Sequence, residues 1–316
     1  MKGLRRPTPT VVVNLSARIG SVTLRNPVMT AAGTSGYGAE LRAYQDLATL
    51  GAVVVKSLSA EPWHGNPPPR VTETDAGMLN SVGLQNPGVE HWIQNDLPAL
   101  RRAGACVVAS IWGFRLADYA AAARQLRDVA GVTAVEVNAS CPNIEDRRHM
   151  FGHSTTGTTD VIATVVAELP GVAVWAKLSP NVTDLTEIAG AALAAGASAL
   201  TLINTVMGMV IDLQTRRPRL GAGGGGLSGP AIRPVAVRAV YECRRAHPDA
   251  PIVGVGGIAT GEHAVELLLA GANAVQIGTA SFYDPTAPAR VLAELTAWCT
   301  RNGITSLTEL TGAAHG

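Results

Sequence analysis

Val135-Glu136-Val137-Asn138-Ala139-Ser140-Cys141-Pro142-Asn143 is the stretch on which the fold reading turns. Val135 and Val137 alternate with Glu136, the two-residue period of a strand. The strand then runs into asparagine, serine, cysteine and asparagine. A buried strand gains nothing from such a run, because each polar group must find a partner or stay wet. Pro142 ends the strand and stiffens the loop after it. Two readings are open at this point. The stretch is either a structural turn with an incidental thiol, or a loop at the C-terminal end of a barrel strand with Cys141 as an acid/base. The rest of the chain decides between them.

Outward from this strand a unit repeats. Short apolar runs at residues 27–31, 52–56, 106–110, 134–138, 172–178, 199–203, 252–255 and 274–277 read as buried strands. Helices are expected between them, near 40–50, 91–103, 118–129, 159–169, 184–195, 234–247, 261–270 and 287–301. Thr183 is the expected cap of the fifth helix, and Pro234 suits the first turn of the sixth. Two further strands, 11–15 and 21–24, form an expected N-terminal hairpin around Arg18-Ile19-Gly20 that closes the barrel bottom. Residues 57–90 and 204–233 are long segments without clear periodicity, and insertions of that length in a compact domain are usually functional. The pattern predicts one (β/α)8 TIM-type barrel over residues 1–316, with long βα loops over the C-terminal face. A doubly wound sheet is the runner-up, but no G-x-G-x-x-G opens the first helix.

Composition agrees. The chain has 316 residues, 47% hydrophobic and 4% aromatic, enough for a large core, and its 34 glycines suit tight strand–helix turns. The net charge of +1 points away from nucleic acid and anionic membrane surfaces. Four scattered cysteines without C-x-x-C fit a reducing cytoplasm and supply no cluster ligands. His149 and His153 stand four apart among Gly, Ser and Thr, and no metal site is expected there. No signal peptide and no bilayer-spanning run is read; residues 188–203 are apolar but too short.

In such a barrel the strand C-termini face the active site. The residues there are Lys56-Ser57, Ser110, Asn138 with Cys141 beyond it, Lys177, Asn204-Thr205, Gly254 to Gly257, and Gly278-Thr279. Two lysines at the ends of apolar strands are costly unless they meet negative charge. Glycines after strands seven and eight let backbone N–H groups approach phosphate oxygens. Gly223 to Gly226 read either as simple flexibility or as a third close approach. A phosphorylated cofactor fits this set, with Lys177 placed to stabilise negative charge on a reduced ring.

Several of these stretches resemble class 1 dihydroorotate dehydrogenases: residues 138–143 (NASCPN), 177–184 (KLSPNVTD), 78–88 (MLNSVGLQNPG), 203–208 (INTVMG) and 225–232 (GGLSGPAI). The likeness runs over roughly residues 22–284. It implies an FMN-containing barrel that oxidises dihydroorotate to orotate, with the C5 proton going to Cys141 and the C6 hydride to flavin N5. Cysteine at 141 looks like class 1. Phe151-Gly152 and the stretch from Gly65 to Arg70 look more like subclass 1B. By the same resemblance Cys141 and Lys177 are catalytic. Lys56, Asn80, Ser81, Val82, Gly83, Leu84, Asn138, Asn143, Asn204 and Thr205 would hold substrate. Ala32, Gly33, Lys56, Ser57, Ser110, Asn138, Lys177, Ile203, Gly229, Gly256, Gly257, Gly278 and Thr279 would hold FMN. A homodimer is implied, and so is an electron-transfer subunit carrying FAD and an iron–sulfur cluster.

The departures fall at 144–150, where Arg147-Arg148 replaces a short basic-then-glycine stretch, at Ala32, at Ser110, and at Trp112, where a small residue is expected near the pocket. They keep two alternatives open. One is a related flavin enzyme acting on another cyclic amide or enone, such as a dihydropyrimidine; the other is a non-redox phosphate-binding barrel or a flavin-free scaffold for a partner.

Overall fold

Eight apolar runs pair into one parallel sheet in the computed structural model, which describes residues 13–38, 40–140 and 151–316. They are β1 (Val28–Thr30), β2 (Val53–Val54), β3 (Val107–Ile111), β4 (Val132–Asn138), β5 (Ala173–Leu178), β6 (Ala199–Leu202), β7 (Ile252–Val255) and β8 (Ala274–Ile277). Each pairs with its neighbours in sequence, β8 pairs with β1, and a bridge between Met29 and Ala52 closes the ring. The result is a (β/α)8 barrel. Its strands are buried on both faces, so they read as near-continuous hydrophobic runs rather than alternating ones; every residue of β3 and β5 is buried.

Helices α1 (Val89–Asn95) and α2 (Leu97–Arg102) lie between β2 and β3. The others are α3 (Leu116–Leu126), α4 (Thr155–Glu168), α5 (Leu185–Ala194), α6 (Arg233–Ala246), α7 (Gly261–Ala270), α8 (Ala280–Tyr283) and α9 (Ala287–Arg301). Side-chain caps fix several starts. Ser154 Oγ accepts from Gly157 N on α4, and Thr260 Oγ1 accepts from His263 N on α7.

The structure corrects the sequence reading in four places. No α-helix follows β1; two 3₁₀ turns, Glu40–Ala43 and Leu47–Thr49, take its place. Asp46 accepts from the backbone N of Ala48, a local bond that competes with helix continuation. The cap of α5 is Asp184, not Thr183, and it accepts from Thr186 N at 2.8 Å. The hairpin pairs Ala17–Ile19 with Val22–Leu24, so its first strand lies later than residues 11–15. Asn14 instead bridges to Ser306. Gly20 turns the hairpin at φ +59°, beside Ser198 just ahead of β6, which puts the hairpin at the N-terminal end of the barrel.

The fourth correction matters most for function. The long segments after β2 and β6 are structured. Val71–Thr74, Gly77–Asn80, Gly225–Ser228 and Val206–Gly208 form a four-stranded antiparallel sheet over the mouth. Gly225 and Gly226 lie in it. A Cβ at Gly225 would meet Asn80 O at 2.5 Å, and one at Gly226 would meet Thr205 Oγ1 at 2.0 Å. At Gly225 and Gly226 the run is therefore a close approach, to the Asn80 backbone and to the Thr205 side chain, not loose linker.

Candidate active site

The barrel strand ends and the mouth sheet enclose a cavity of about 410 Å³, within the ordinary range for small-molecule sites. Seven of the eight strand ends contribute, all but that of β3. Ala32 and Gly33 come from beyond β1, Lys56 and Ser57 from beyond β2, and Asn138 from the end of β4. Lys177 projects from β5, Ile203, Asn204 and Thr205 follow β6, Gly256 and Gly257 follow β7, and Gly278 and Thr279 follow β8. The insertions bring Asn80, Ser81, Val82, Gly83, Leu84 and Gly229 to the same wall.

Ser110 does not line the cavity. It is fully buried behind Ser57, their hydroxyls 2.8 Å apart. Trp112 is also elsewhere: it is buried in an edge-to-face cluster with Trp63 and Phe114, around a separate hollow. Cys141, Asn143 and His149 lie outside the described residues. On either side of them, Gly152 N donates to Ala139 O at 2.9 Å.

The chain contains only three lysines, and two of them, Lys56 and Lys177, line this cavity. Lys177 has its negative partner inside the barrel: its Nζ lies 3.6 Å from Glu136 Oε1. Glu136 Oε2 accepts from Gln276 Nε2 at 2.7 Å and from Thr201 Oγ1 at 3.1 Å. Lys56 has no carboxylate partner among the described residues. Burial, and then the Arg70 guanidinium, hold its ammonium below the usual lysine range. It is thus a cation made uncomfortable by its site, and an anion in the cavity relieves it.

A chain of amides joins these groups. Asn204 Nδ2 donates to Asn138 Oδ1 at 3.0 Å, and Asn204 Oδ1 accepts from Thr205 N at 2.7 Å. Tyr119 OH donates to Asn138 O from outside the strand. Asn181 donates to Ser179 Oγ and Thr205 O and accepts from Met207 N, which ties β5 to the mouth sheet. Donors and acceptors set alternately on a rigid wall suit a flat ring with alternating amide N–H and C=O.

Sequence reasoning missed Glu136, Ser140, Ser179 and Asn181. Ser140, Ser179 and Asn181 lie within the family-like motifs at 138–143 and 177–184 and line the cavity. The signal for Glu136 was a carboxylate alternating with valines in a strand whose two faces are both buried.

The comparisons with known proteins now bear on this site. The sequence model of the family described as dihydroorotate dehydrogenase matches residues 14–298. The chain belongs to the dihydroorotate dehydrogenase family. It is 51% identical to the Desulforudis audaxviator protein named dihydroorotate dehydrogenase B (NAD(+)), catalytic subunit, over 96% of this chain and 98% of that one. It is 48% identical to the Solibacter usitatus putative dihydroorotate dehydrogenase A (fumarate), over 94% and 97%. It is 47% identical to the Geobacter sulfurreducens protein named as the B catalytic subunit, over 95% and 98%. Dihydroorotate dehydrogenases are flavin-dependent oxidoreductases of pyrimidine biosynthesis.

The cavity fits a flavin. Ser81 Oγ and Ser140 Oγ are buried in its wall with no hydrogen-bond partner among the described residues, and such groups are costly unless a bound molecule completes them. Gly278 differs from the other turn glycines. Gly257 has φ +68° and Arg233 Cβ 2.6 Å from where its own Cβ would be; Gly256 has Ala236 Cβ at 2.7 Å. A Cβ on Gly278 would meet nothing closer than Ala31 Cβ at 3.4 Å. The protein's own packing does not demand glycine there.

Among the described residues no helix is long and apolar enough to cross a membrane.

Proposed function

We propose that this chain is the FMN-binding catalytic subunit of a class 1B dihydroorotate dehydrogenase, and that the cavity at the barrel mouth is its active site. The observation that carries the reading is the pairing, in one cavity, of two lysines and an amide wall with buried, unsatisfied hydroxyls. The bound FMN supplies the two-electron acceptor for the C6 hydride of dihydroorotate.

The chain's own residues do the rest. Cys141 takes the C5 proton; Ser140, the residue before it, lines the cavity. Asn80, Asn138, Asn204 and Thr205, with Asn143, hold the ring amides, and Ser81 to Leu84 close over them. Lys56 meets the substrate carboxylate, the anion that its strained charge calls for. Lys177 supplies a cation where negative charge gathers on the reduced cofactor. Ala32, Gly33, Ser57, Ile203, Gly229, Gly256, Gly257, Gly278 and Thr279 cradle FMN, with Ser110 acting only through Ser57.

The whole chain works as one barrel unit. Electrons leave through a separate subunit carrying FAD and an iron–sulfur cluster, a reading supported by relatives named as the catalytic subunit of a B-type enzyme. A homodimer of this chain is supported by the exposed apolar side chains Met207, Met209, Ile211 and Leu213 on the mouth insertion. A reducing, cytoplasmic setting suits Cys106, Cys243 and Cys299, all free thiols.

The deciding experiment is anaerobic mixing of the purified flavoprotein with dihydroorotate. Bleaching of the flavin band is expected. Bleaching by dihydrouracil but not by dihydroorotate would move the substrate to an uncharged dihydropyrimidine. A protein that neither carries nor takes up FMN would end the cofactor assignment.

The glycine turns give a second expected result. Gly278→Ala should weaken FMN binding at least tenfold, about 1.4 kcal/mol, while leaving the melting temperature unchanged or slightly raised. Gly257→Ala should instead destabilise the fold by about 1–3 kcal/mol, since it forces a β-carbon into a left-handed turn against Arg233. Urea melts beside flavin titrations separate the two. Equal stability loss in both variants would remove the case for ligand approach at Gly278.

A further inference from the structure

We propose that Glu136 is a positioning residue that acts through Lys177: its carboxylate, locked inside the barrel, keeps the Lys177 ammonium in place and charged at the wall of the cavity. The inference rests on the cofactor reading above and adds a residue that does not itself line the cavity.

The geometry is specific. Glu136 has no exposed side-chain surface, and Lys177 keeps 8%. Three strands converge on the carboxylate. Gln276 of β8 and Thr201 of β6 both donate to Oε2. Oε1 has no hydrogen-bond partner among the described residues and faces the Lys177 ammonium at 3.6 Å. Glu136, Thr201 and Gln276 are all absent from the cavity wall, whereas Lys177 lines it. The carboxylate is thus oriented by neutral donors on one oxygen, with the other left for the cation.

A carboxylate is expensive at the centre of an apolar barrel. A purely structural barrel centre would use aliphatic residues, as the layers around it do. The pair therefore maintains charge at the cavity floor. Glu136 is the one titratable group of the described residues in ion-pair contact with Lys177. Its companions from β6 and β8 are neutral, and the other cation of the wall, Lys56, enters from β2. Without the carboxylate, burial favours the neutral amine. Reduction of the flavin would then have to draw a proton onto Lys177 as negative charge arrives.

The test uses the fact that the chain holds only Lys2, Lys56 and Lys177. Labelling with [15Nζ]lysine gives few side-chain signals, and Lys177 is assigned by its loss in Lys177→Met. In Glu136→Gln the Lys177 signal should pass from ammonium to amine with proton affinity at least tenfold lower than in the unsubstituted protein. This readout does not need flavin, so it stands even if the cofactor assignment falls.

In the flavoprotein, the midpoint potential of Glu136→Gln should fall more steeply with pH, with about one proton more taken up per electron pair. At alkaline pH the reduced form should be disfavoured at least tenfold, about 30 mV for a two-electron couple. Adding Glu136→Gln to Lys177→Met should leave the potential of that variant unchanged. Gln276→Leu, which keeps both charges but removes one donor from Glu136, should shift the slope the same way by less. Parallel potential profiles and an unmoved lysine titration would overturn the proposal. So would a potential raised equally at every pH, since that would mark Glu136 as a charge acting directly on the flavin.

Discussion

Cys141→Ala should lower dihydroorotate turnover by about a thousandfold while the purified protein keeps its yellow colour and its fold. The magnitude is that of removing a positioned general base, typically about a hundredfold to ten-thousandfold. No other thiol can substitute. Cys106, Cys243 and Cys299 all lie away from the cavity. Burial pushes the Cys243 thiol up to about 12 and raises Cys299 as well, so neither offers a thiolate near neutral pH.

The proposed role asks Cys141 for a thiolate. A free thiol near ~8.5 yields enough thiolate once cations stand nearby, and Lys56 and Lys177 are the cations of this cavity. Cys141→Ser should therefore retain more activity than alanine but need a more alkaline pH, because a hydroxyl gives up its proton far less readily. The check is a pH profile of kcat/KM for all three proteins, beside flavin content and thermal melts. Turnover within tenfold of the unsubstituted enzyme in Cys141→Ala would strip the residue of its role.

The barrel was legible because its strands are buried on both faces. Runs such as Val174-Trp175-Ala176 need no tertiary information to be read, and β7, α7 and β8 fall on the residues expected from the sequence. The mouth sheet was not legible. Its strands are three or four residues long and partly exposed, and they pair Asn80 with Gly226 across most of the barrel in sequence. Nothing local announces a contact of that range.

The site divides the same way. Lysines and asparagines at strand ends stand out against apolar sequence, and nearly all of those in the described residues reach the cavity. Ser110 stood at an equivalent position, yet its side chain faces Ser57. In the sheet register Ser110 lies level with Glu136, two residues below the level of Asn138 and Lys177, and so in the layer behind the cavity wall. Trp112 failed for a related reason. Two residues beyond Ser110, it turns to Trp63 and Phe114 rather than over the pocket.

Lys177→Met should destabilise the protein by about 3 kcal/mol and leave it unable to turn over dihydroorotate. Breaking one side of a buried pair strands the other charge, at a typical cost of about 3–5 kcal/mol. The lower figure applies here because Glu136 keeps its bonds from Gln276 and Thr201. Only 8% of the Lys177 side chain and none of Glu136 reaches solvent, so screening offers little relief. The sign of the pH dependence comes from linkage. The stranded carboxylate is unfavourable only while ionised, so the deficit of Lys177→Met should be full near neutral pH and shrink as protonation sets in on acidification. The double variant Glu136→Gln/Lys177→Met should recover most of the lost stability at neutral pH, because it removes both charges and leaves a neutral amide among neutral donors. Activity should not return with it, since the cation at the cavity floor is still missing. Urea unfolding at pH 7 and pH 5 for the single and double variants measures all of this. A single variant as stable as the parent at pH 7 would mean that Glu136 is already neutral in the fold, and that the contact with Lys177 is a hydrogen-bonded neighbour rather than an ion pair.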